Sequence, residues 1–337
     1  MSRSPHPTTL ADVARRAGVS VATASRVLNG SQHRVSERLA EKVRQVAAEL
    51  RYAPNMQAQG LARNSSTTVA LLLHDVTDPY FAQIAQGVLV EAAKRDVPVV
   101  IGETGIDPDG ERAQLEALSG FRPQAVIVAG SRTERHDAEV RFAEALRGWS
   151  ESGCAVVSVG QPGLPGACVH PQNREGARDL AAHLAALGHR RLTVVAGPST
   201  LRVVSERRDG FAAGLPSHAV VDVIDSEFSR DGGYRAGKTF VERASGATAV
   251  FVTSDVMASG FCTALREANL SIPDDVSVAG FDDVPVAADL HPPLTTVRLP
   301  LSDMGARAVT LALDGAGETA VPVDGELIVR GSTGPTA

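Results

Sequence analysis

The segment TLADVARRAGVSVATASRVLNG, residues 9–30, contains the signals from which the fold of the N-terminal region follows. Thr9 and Asp12 have the spacing of a helix-capping pair, and Gly18 can take the left-handed conformation that ends a first helix. Ser20 can then cap a second helix that follows at once. The stretch therefore predicts two short helices joined by a tight turn.

A third helix is predicted after Ser36, which can serve as its N-cap. Apolar residues recur there at the spacing of one helical face: Val43, Val46, Ala47 and Leu50. Three short helices around one small core are typical of DNA-reading heads, and also of protein-interaction modules. The spacing of the helices leaves both functions open.

The charge distribution separates the start of the chain from the rest of its 337 residues. Residues 1–64 contain ten Lys or Arg and four Asp or Glu, a net charge of +6, whereas residues 65–337 contain 23 and 35, a net charge of −12. Lys and Arg gain affinity by displacing counterions from phosphates, so a basic head favours a polyanionic partner. The charge supports DNA binding without deciding it.

The series from Thr9 to Gly30 closely resembles the DNA-binding head of the LacI/GalR repressor family. The resemblance implies that the second helix enters the major groove, with Val21, Ala22 and Arg26 at the base-reading positions. An arginine there can donate two hydrogen bonds to guanine O6 and N7, whereas valine and alanine make apolar contacts with a thymine methyl group or a base edge. Phosphate contacts are expected from Thr9, Ser20, Ser25 and Asn29.

Residues 53–66 resemble the hinge helix of that family, which folds in the minor groove when the protein binds its operator. The family pattern is matched by Tyr52, Pro54, Asn55, Ala58 and Leu61. It implies a wedge at Leu61 that unstacks a central base step, with further DNA contacts from Asn55, Ala58 and Gln59. Gly60 departs from the pattern, and a helical glycine costs about 0.5–1 kcal/mol relative to alanine, so this hinge should depend on the operator to fold. The alternative is a flexible linker.

From residue 67 onward, short apolar runs alternate with helical segments, which predicts an α/β body. Four runs predict the parallel strands of a first lobe: residues 69–73, 97–101, 125–129 and 155–159. Four more predict a second lobe: residues 192–196, 220–224, 249–252 and 276–281. Continuous apolar runs are typical of strands that helices cover on both faces. The expected body is therefore a two-lobe, doubly wound structure, which the family resemblance makes periplasmic-binding-protein-like.

Ligands of doubly wound lobes bind outside the carboxyl ends of the strands, so sensing residues should lie in a cleft between the lobes. The family resemblance, which covers nearly the whole chain, assigns effector contacts to Tyr80, Phe81, Asn173, Arg207, Phe228 and Asp255. Arg207 and Asp255 would bind hydroxyl or anionic groups, and the aromatic rings would cover the apolar face of a sugar. A sugar is the expected effector, and a purine is the alternative.

Each of these residues also has an ordinary structural interpretation. Without the resemblance, Tyr80, Phe81 and Phe228 could be core aromatics, and Arg207 or Asp255 could belong to helix caps or salt bridges. The stretch Gly280–Asp283 is expected to shape a strand end and a contact between lobes rather than to bind the effector.

The remaining features limit the class of protein. No stretch approaches the roughly 20 apolar residues that cross a bilayer, and the polar start shows no secretion signal, so a cytoplasmic protein without membrane contacts is expected. Cys154, Cys168 and Cys262 lack CxxC spacing, which predicts buried thiols and no metal site. P-loop, HExxH and GxSxG motifs are missing from the sequence, so neither an enzyme nor a cofactor is expected.

Together these patterns predict three parts: an all-α helix-turn-helix head in residues 8–52, a hinge in 53–66, and an effector-binding and dimerisation body in 67–337. The family resemblance implies a homodimeric regulator, a repressor, on a near-palindromic operator. A transport-type sugar-binding protein has the same two-lobe body. That class would need an export signal and would not need the head, so both features of the sequence argue against it.

Overall fold

The computed structural model describes residues 8–28, 35–52, 67–105, 108–133, 136–160, 162–315 and 320–336. The chain divides into two compact units, Met1–Ser66 and Thr67–Ala337. This division lies where the body is expected to begin, while the boundary between head and hinge stays a prediction. Five residues with predicted DNA contacts lie outside the described residues: Asn29, Asn55, Ala58, Gln59 and Leu61.

Three helices form the described part of the first unit. They cover Leu10–Ala17 (α1), Val21–Leu28 (α2) and Glu37–Glu49 (α3), as the sequence predicts. Gly18 ends α1 in the left-handed conformation, with a φ of 71°, and its amide donates to carbonyl oxygens in the last turn of the helix. Glycine takes this φ at little cost because it has no Cβ. The tight turn between α1 and α2 therefore follows directly from one residue.

The core of the head is small and built from short side chains. Its buried members come from all three helices: Val13, Ala14, Ala17, Ala24, Val43, Val46 and Ala47. The apolar face predicted for α3 is therefore confirmed. Ser36 occupies the N-cap position of α3, but its hydroxyl makes no capping hydrogen bond. Packing against α1 and α2 thus holds α3 in place without the expected side-chain cap.

Thr9 caps α1 through a reciprocal pair of hydrogen bonds with Asp12. The Asp12 amide donates to Thr9 Oγ1 at 3.3 Å, and the Thr9 amide donates to the Asp12 carboxylate at 3.0 Å. We expect Thr9→Ala to lower the free energy of unfolding of the head by about 1 kcal/mol, the usual effect of losing an N-cap side chain. Hydrogen exchange of the full chain should then be about fivefold faster in head peptides and unchanged in body peptides. Thr9→Ser retains the hydroxyl and is the control; equal exchange in the two variants would contradict the capping role.

The second unit alternates strands with helices. Its strands, in the described residues, are Val69–Leu73 (β1), Val99–Glu103 (β2), Ala125–Ala129 (β3), Ala155–Val159 (β4), Ala167–Pro171 (β5), Arg191–Ala196 (β6), Val220–Asp225 (β7), Ala249–Val252 (β8), Ser277–Ala279 (β9), Thr296–Arg298 (β10), Ala320–Val323 (β11) and Glu326–Ile328 (β12). Its α-helices are Pro79–Ala93 (α4), Pro108–Leu118 (α5), His136–Glu151 (α6), Asn173–Ala186 (α7), Arg202–Gly214 (α8), Arg230–Arg243 (α9), Asp255–Glu267 (α10), Val286–Asp289 (α11) and Leu301–Asp314 (α12). The eight predicted strands are all present, with β2 shifted by two residues and β9 shorter than expected.

Two parallel sheets form the predicted pair of doubly wound lobes. The strand order is β11-β5-β4-β3-β1-β2 in lobe one and β7-β6-β8-β9 in lobe two. Strand β1 lies between β2 and β3, and β6 lies between β7 and β8. The strand order therefore reverses at these points, and such reversals open a crevice at the carboxyl ends of the strands.

The last part of the chain divides between the lobes in a way the sequence pattern does not predict. Strand β11 joins the edge of lobe one beside β5, whereas β10 and β12 form a separate antiparallel pair. Helix α12 packs against α4, and a Cβ on Gly87 would lie 1.8 Å from the Ser302 carbonyl oxygen, so glycine is needed for this close approach. The chain returns to lobe two beyond β11, where the Val278 amide donates to the Ser332 carbonyl at 2.9 Å. The polypeptide thus passes between the lobes three times.

The described residues contain neither a membrane-spanning helix nor a cluster of metal-binding side chains. None of their helices is long and apolar enough to cross a bilayer, and none of their His, Cys, Asp and Glu side chains form a cluster that could hold a metal ion. Cys154 and Cys168 are buried free thiols, and Cys262 is half-buried rather than buried.

Candidate functional site

Helix α2 presents an exposed face on the head. Val21 is 49% exposed, and Ala22 and Arg26 are also exposed, whereas Ala24 is buried in the core of the head. Ala22 and Arg26 are one helical turn apart and lie on the same side of α2, and Val21 lies beside Ala22 in the first turn. The ion pairs within the described part of the head do not involve Arg26. Its guanidinium group is therefore available to a partner.

The hydroxyl groups predicted to bind phosphates also cap helices. The Thr23 amide donates to Ser20 Oγ at 3.1 Å, and Thr9 Oγ1 donates to the Asp12 carboxylate at 2.6 Å. Ser20 and Thr9 are nevertheless exposed, and Ser25 is half-buried. Their phosphate contacts stay a prediction that the geometry permits.

A cavity lies between the two lobes at the carboxyl ends of their strands. Its lining comes from the loops and helices that follow six strands of the two sheets: His74, Asp75, Asp78, Tyr80 and Phe81 after β1, Gly130 and Ser131 after β3, Gly160 after β4, Leu201, Val203 and Arg207 after β6, Phe228 after β7, and Asp282 after β9. Tyr80, Phe81, Arg207 and Phe228 are thus brought together, as proposed from the sequence. Asn173 and Asp255 are not part of this lining.

Arg207 is the central charged group of the cavity, and its side chain is almost fully buried. Its Nη2 donates to Asp282 Oδ1 at 2.7 Å, and its Nη1 donates to the Thr253 carbonyl at 2.6 Å and to Asp282 Oδ2 at 3.4 Å. Its Nε donates to Asn173 Oδ1 at 3.1 Å, and the guanidinium carbon lies 3.9 Å from the centre of the Phe281 ring. Four of the five guanidinium N–H groups thus have acceptors within the protein. Arg207 is held in one orientation before any ligand arrives.

Asp282 is the acidic partner of Arg207, although the sequence pattern suggested only a structural role for its loop. It has a left-handed φ of 106°, which is rare outside glycine. Its amide donates to the Val297 carbonyl at 2.8 Å, so the backbone on both sides of the strained residue is anchored to β10. Burial raises the pKa of Asp282 to about 6, the ion pair with Arg207 opposes this rise, and Asp78 adds to it. Asp282 follows the carboxyl end of β9, where ligands of such lobes bind, and this position in the sequence could have identified it.

Asp255 lies outside the cavity and braces the loop that carries Asp282. Its Oδ2 accepts from the Val284 amide at 3.0 Å, and its Oδ1 accepts from the Thr296 hydroxyl at 2.7 Å. Its own amide donates to the Phe281 carbonyl at 2.9 Å. Burial raises the pKa of Asp255 well above its ordinary value. Because both carboxylate oxygens are engaged inside the protein, the effector contact assigned to Asp255 is replaced by a positioning role.

Asn173 also acts behind the lining. Its Oδ1 accepts from Arg207 Nε, and its Nδ2 donates to Glu206 Oε2 at 2.9 Å. With 1% of its surface exposed, Asn173 orients Arg207 and does not itself face the cavity.

Three aromatic rings supply the apolar part of the lining. Tyr80 and Phe81 meet edge to face, with ring centres 5.0 Å apart. Phe228 lies against Gly197, where a Cβ would come within 2.2 Å of the ring, so the glycine makes room for it. Burial raises the pKa of Tyr80, so its hydroxyl stays protonated. The rings form an apolar surface beside the Arg207–Asp282 pair.

A buried charge cluster adjoins the cavity and has no signature in the sequence. His74 Nε2 lies 3.2 Å from Glu111 Oε1, and Arg132 donates to both oxygens of Glu111, at 2.5 and 3.2 Å. Arg132 Nη1 also lies 3.5 Å from Glu139. Burial opposes ionisation of Glu111, but the hydrogen bond from His74 and the charge of Arg132 hold the pKa of Glu111 below its ordinary value. The cluster fixes His74 against one wall of the cavity.

The same wall joins the lobes. Residues 131–133 of lobe one contact residues 201–203 of lobe two through an antiparallel bridge. The Arg202 amide donates to the Arg132 carbonyl at 2.9 Å. Movement of one lobe against the other must therefore disturb the lining of the cavity.

The raised pKa of Asp282 predicts how stability depends on pH. The folded protein binds a proton near pH 6, whereas the ordinary value for this carboxyl is 3.8. The contribution of Asp282 to the free energy of unfolding therefore increases as the pH falls from 7 toward 4, by up to about 3 kcal/mol, and is lost as the pH rises through 6. Urea denaturation at several pH values measures the free energy of unfolding of wild type and of Asp282→Asn. The stability of wild type relative to Asp282→Asn should rise as the pH falls. Asp303→Asn, which changes an exposed carboxylate, is the control. A difference in the free energy of unfolding between wild type and Asp282→Asn that does not change with pH would contradict the prediction.

Known proteins are similar to this chain both in the region of helix α2 and in the region of the cavity. Residues 9–55 match the family described as bacterial regulatory proteins, lacI family, and residues 181–333 match the periplasmic binding protein-like domain. The chain is 35% identical over 316 residues to the HTH-type transcriptional regulator GalS of Salmonella typhimurium, covering 92% of this chain and 91% of that protein. The chain belongs to the LacI family.

Other members of the LacI family are similar over almost the full length. The HTH-type transcriptional regulator DegA of Bacillus subtilis is 31% identical, with 97% of this chain and 98% of that protein covered. A solved Lac repressor dimer bound to operator and the anti-inducer ONPF has a TM-score of 0.86 at 25% identity, with 98% of this chain and 100% of that chain covered. The transcriptional regulator CelR in complex with cellobiose has a TM-score of 0.68 at 30% identity, with 96% of this chain and 99% of that chain covered. This LacI-family protein is a DNA-binding transcriptional regulator and not an enzyme.

Proposed function

We propose that this LacI-family protein is a homodimeric repressor that acts in the cytoplasm on a near-palindromic operator, and that a sugar in the cavity between its lobes changes its operator affinity. The observation that carries the proposal is the presence, in one chain, of an exposed DNA-reading helix face at Arg26 and a polar and aromatic cavity at the strand ends. The Lac repressor dimer bound to operator supports the DNA part of the proposal.

On DNA, helix α2 lies in the major groove. Arg26 donates two hydrogen bonds to a guanine, while Val21 and Ala22 contact neighbouring base edges. Thr9, Ser20, Ser25 and Asn29 bind phosphates. Asn55, Ala58, Gln59 and Leu61 belong to a hinge helix in the minor groove, where Leu61 unstacks the central step.

In the cavity, a sugar hydroxyl donates to Asp282 and another accepts from the remaining N–H of Arg207. Tyr80, Phe81 and Phe228 cover the apolar face of the ring, which is the usual division between polar and apolar contacts in a small-molecule site. The complex of CelR with cellobiose supports a sugar in this class of cavity.

The two sites are coupled because the cavity is bounded by both lobes. A sugar bound in the cavity favours one arrangement of the two lobes. That arrangement changes how the dimer positions its two DNA-binding heads. The coupling is reciprocal: a sugar that weakens operator binding must itself bind more weakly to the operator complex.

Selection of an operator from a random DNA library by the full-length protein tests the proposal. We expect enrichment of a near-palindromic site and a steep salt dependence, with about a thousandfold loss of affinity between about 50 and 200 mM salt. Failure to enrich any site, or binding that does not respond to salt, would exclude the DNA-binding part of the proposal.

A further inference from the structure

We infer that the effector carries no negative charge, and that Asp75 and Asp78 exclude phosphorylated sugars from the cavity. This inference rests on the proposed function, because it names the chemical class of the effector that the same cavity binds.

The charges that line the cavity are unfavourable for an anion. The lining contains three carboxylates, Asp75, Asp78 and Asp282, and one guanidinium group, Arg207. Asp282 lies 2.7 Å from Arg207 and neutralises it. No other Lys or Arg lines the cavity in the described part of the chain. A phosphate would therefore enter without an unpaired cation in the described lining to bind it, and it would face the carboxylates of Asp75 and Asp78.

One place where a phosphate could bind, the N-terminus of α4, is occupied by Asp78. The N-terminus of a helix attracts anions through its free amides and its dipole. Asp78 is the N-cap of α4, and its Oδ1 accepts from the Tyr80 amide at 2.9 Å. The protein thus supplies its own anion to this helix end, and a ligand phosphate that bound there would have to displace it.

Asp75 adds a second carboxylate in the same loop. Its Oδ1 accepts from the Thr77 amide at 2.7 Å and from the Thr77 hydroxyl at 2.6 Å, which fixes it between β1 and α4. Burial raises the pKa of Asp78, repulsion from Asp75 adds to this rise, and Arg207 opposes it. A ligand anion would add to an existing repulsion between like charges.

His74 does not reverse this balance. It is the remaining lining residue that can carry a positive charge, and it faces Glu111 within the buried cluster. The cluster also contains Glu139 and Arg132, so its two carboxylates exceed its one guanidinium by one charge. A protonated His74 would only balance that cluster. When His74 is neutral and donates from Nε2 to Glu111, its Nδ1 is an acceptor, which suits a hydroxyl and not a phosphate.

Isothermal titration of the full-length protein with matched pairs of sugars tests the inference. The pairs are galactose with galactose 1-phosphate, glucose with glucose 6-phosphate, and ribose with ribose 5-phosphate, with cellobiose and the cationic glucosamine added. We expect at least one uncharged sugar to bind and its phosphorylated derivative to bind at least about tenfold more weakly. A phosphorylated sugar that binds as tightly as its parent would overturn this inference and leave the proposed function standing. Absence of binding by every sugar would overturn both.

The double variant Asp75→Asn/Asp78→Asn tests whether these two carboxylates cause the rejection of phosphorylated sugars. Asparagine keeps a side-chain oxygen for the turn and for the N-cap, so the fold of the loop is retained. We expect the preference for the uncharged sugar over its phosphate to fall by about tenfold in this variant and to stay at the wild-type level in Asp303→Asn, which removes an exposed carboxylate outside the cavity. A variant that binds the uncharged sugar and still rejects the phosphate as strongly as wild type would overturn the role of Asp75 and Asp78.

Discussion

Arg207→Met is expected to lower the free energy of unfolding of the body by about 3–5 kcal/mol at pH 7, because it leaves the buried carboxylate of Asp282 without its partner. The same substitution removes the donor on which the proposed sugar contacts depend, so the stabilisation of the protein by a bound sugar should also disappear. Urea denaturation with and without the sugar measures both effects. Because the ion pair is nearly fully buried, solvent screens it little.

A second substitution distinguishes the unpaired charge of Asp282 from lost packing as the cause of the lower stability of Arg207→Met. Asp282→Asn in the Arg207→Met background removes the unpaired charge, and we expect the double variant to recover a large part of the lost stability. Arg207 lowers the pKa of Asp282, so in the single variant this carboxyl takes up its proton at a higher pH than in wild type, and the loss should become smaller as the pH falls toward about 6. A double variant no more stable than Arg207→Met, or a loss that does not change with pH, would show that the ion pair is not the reason.

Arg26→Ala is expected to weaken binding to the selected operator by about 1–3 kcal/mol, or roughly 5- to 150-fold, the range for one good bidentate contact with a base. Binding to random DNA should change much less, since a base contact carries the sequence preference and phosphate contacts do not. The fold of the head should be unaffected because the side chain is exposed. Anisotropy titrations on both DNAs at fixed salt measure the difference.

Arg26→Lys is the matched control for charge. It keeps the positive charge but cannot make the bidentate contact with guanine in the same way, so operator affinity should stay low while random-DNA affinity is restored. An equal loss on operator and random DNA in Arg26→Ala would instead identify Arg26 as a phosphate contact.

The head could be predicted closely because its signals are local. Thr9, Gly18 and Ser20 act on the residues next to them, so both ends of α1 and the start of α2 follow from a few neighbouring positions. Buried strands with continuous apolar runs, such as β1 and β3, were equally clear. Strand β11 was not, because it is short and contains Pro322, which removes a backbone donor and suits a sheet edge.

The sequence predicts the position of the cavity but not every residue that lines it. Arg207 and Asp282 come from distant parts of the chain, and Asp255 and Asp282 both follow a strand of lobe two, so the sequence does not show which carboxylate faces inward. The hydrogen bonds of Asp255 to Val284 and Thr296 decide this, and they exist only in the folded protein. The cluster around Glu111 was missed for the same reason.

Occupation of the cavity by a sugar is proposed to change operator binding by this LacI-family protein. An anisotropy titration of the selected operator with the full-length protein, with and without a saturating concentration of the sugar that binds it, tests this most directly. We expect the operator Kd to change by at least about fivefold in wild type and to be insensitive to the sugar in Arg207→Met. An operator Kd that is the same at saturating sugar and without sugar would contradict the claim.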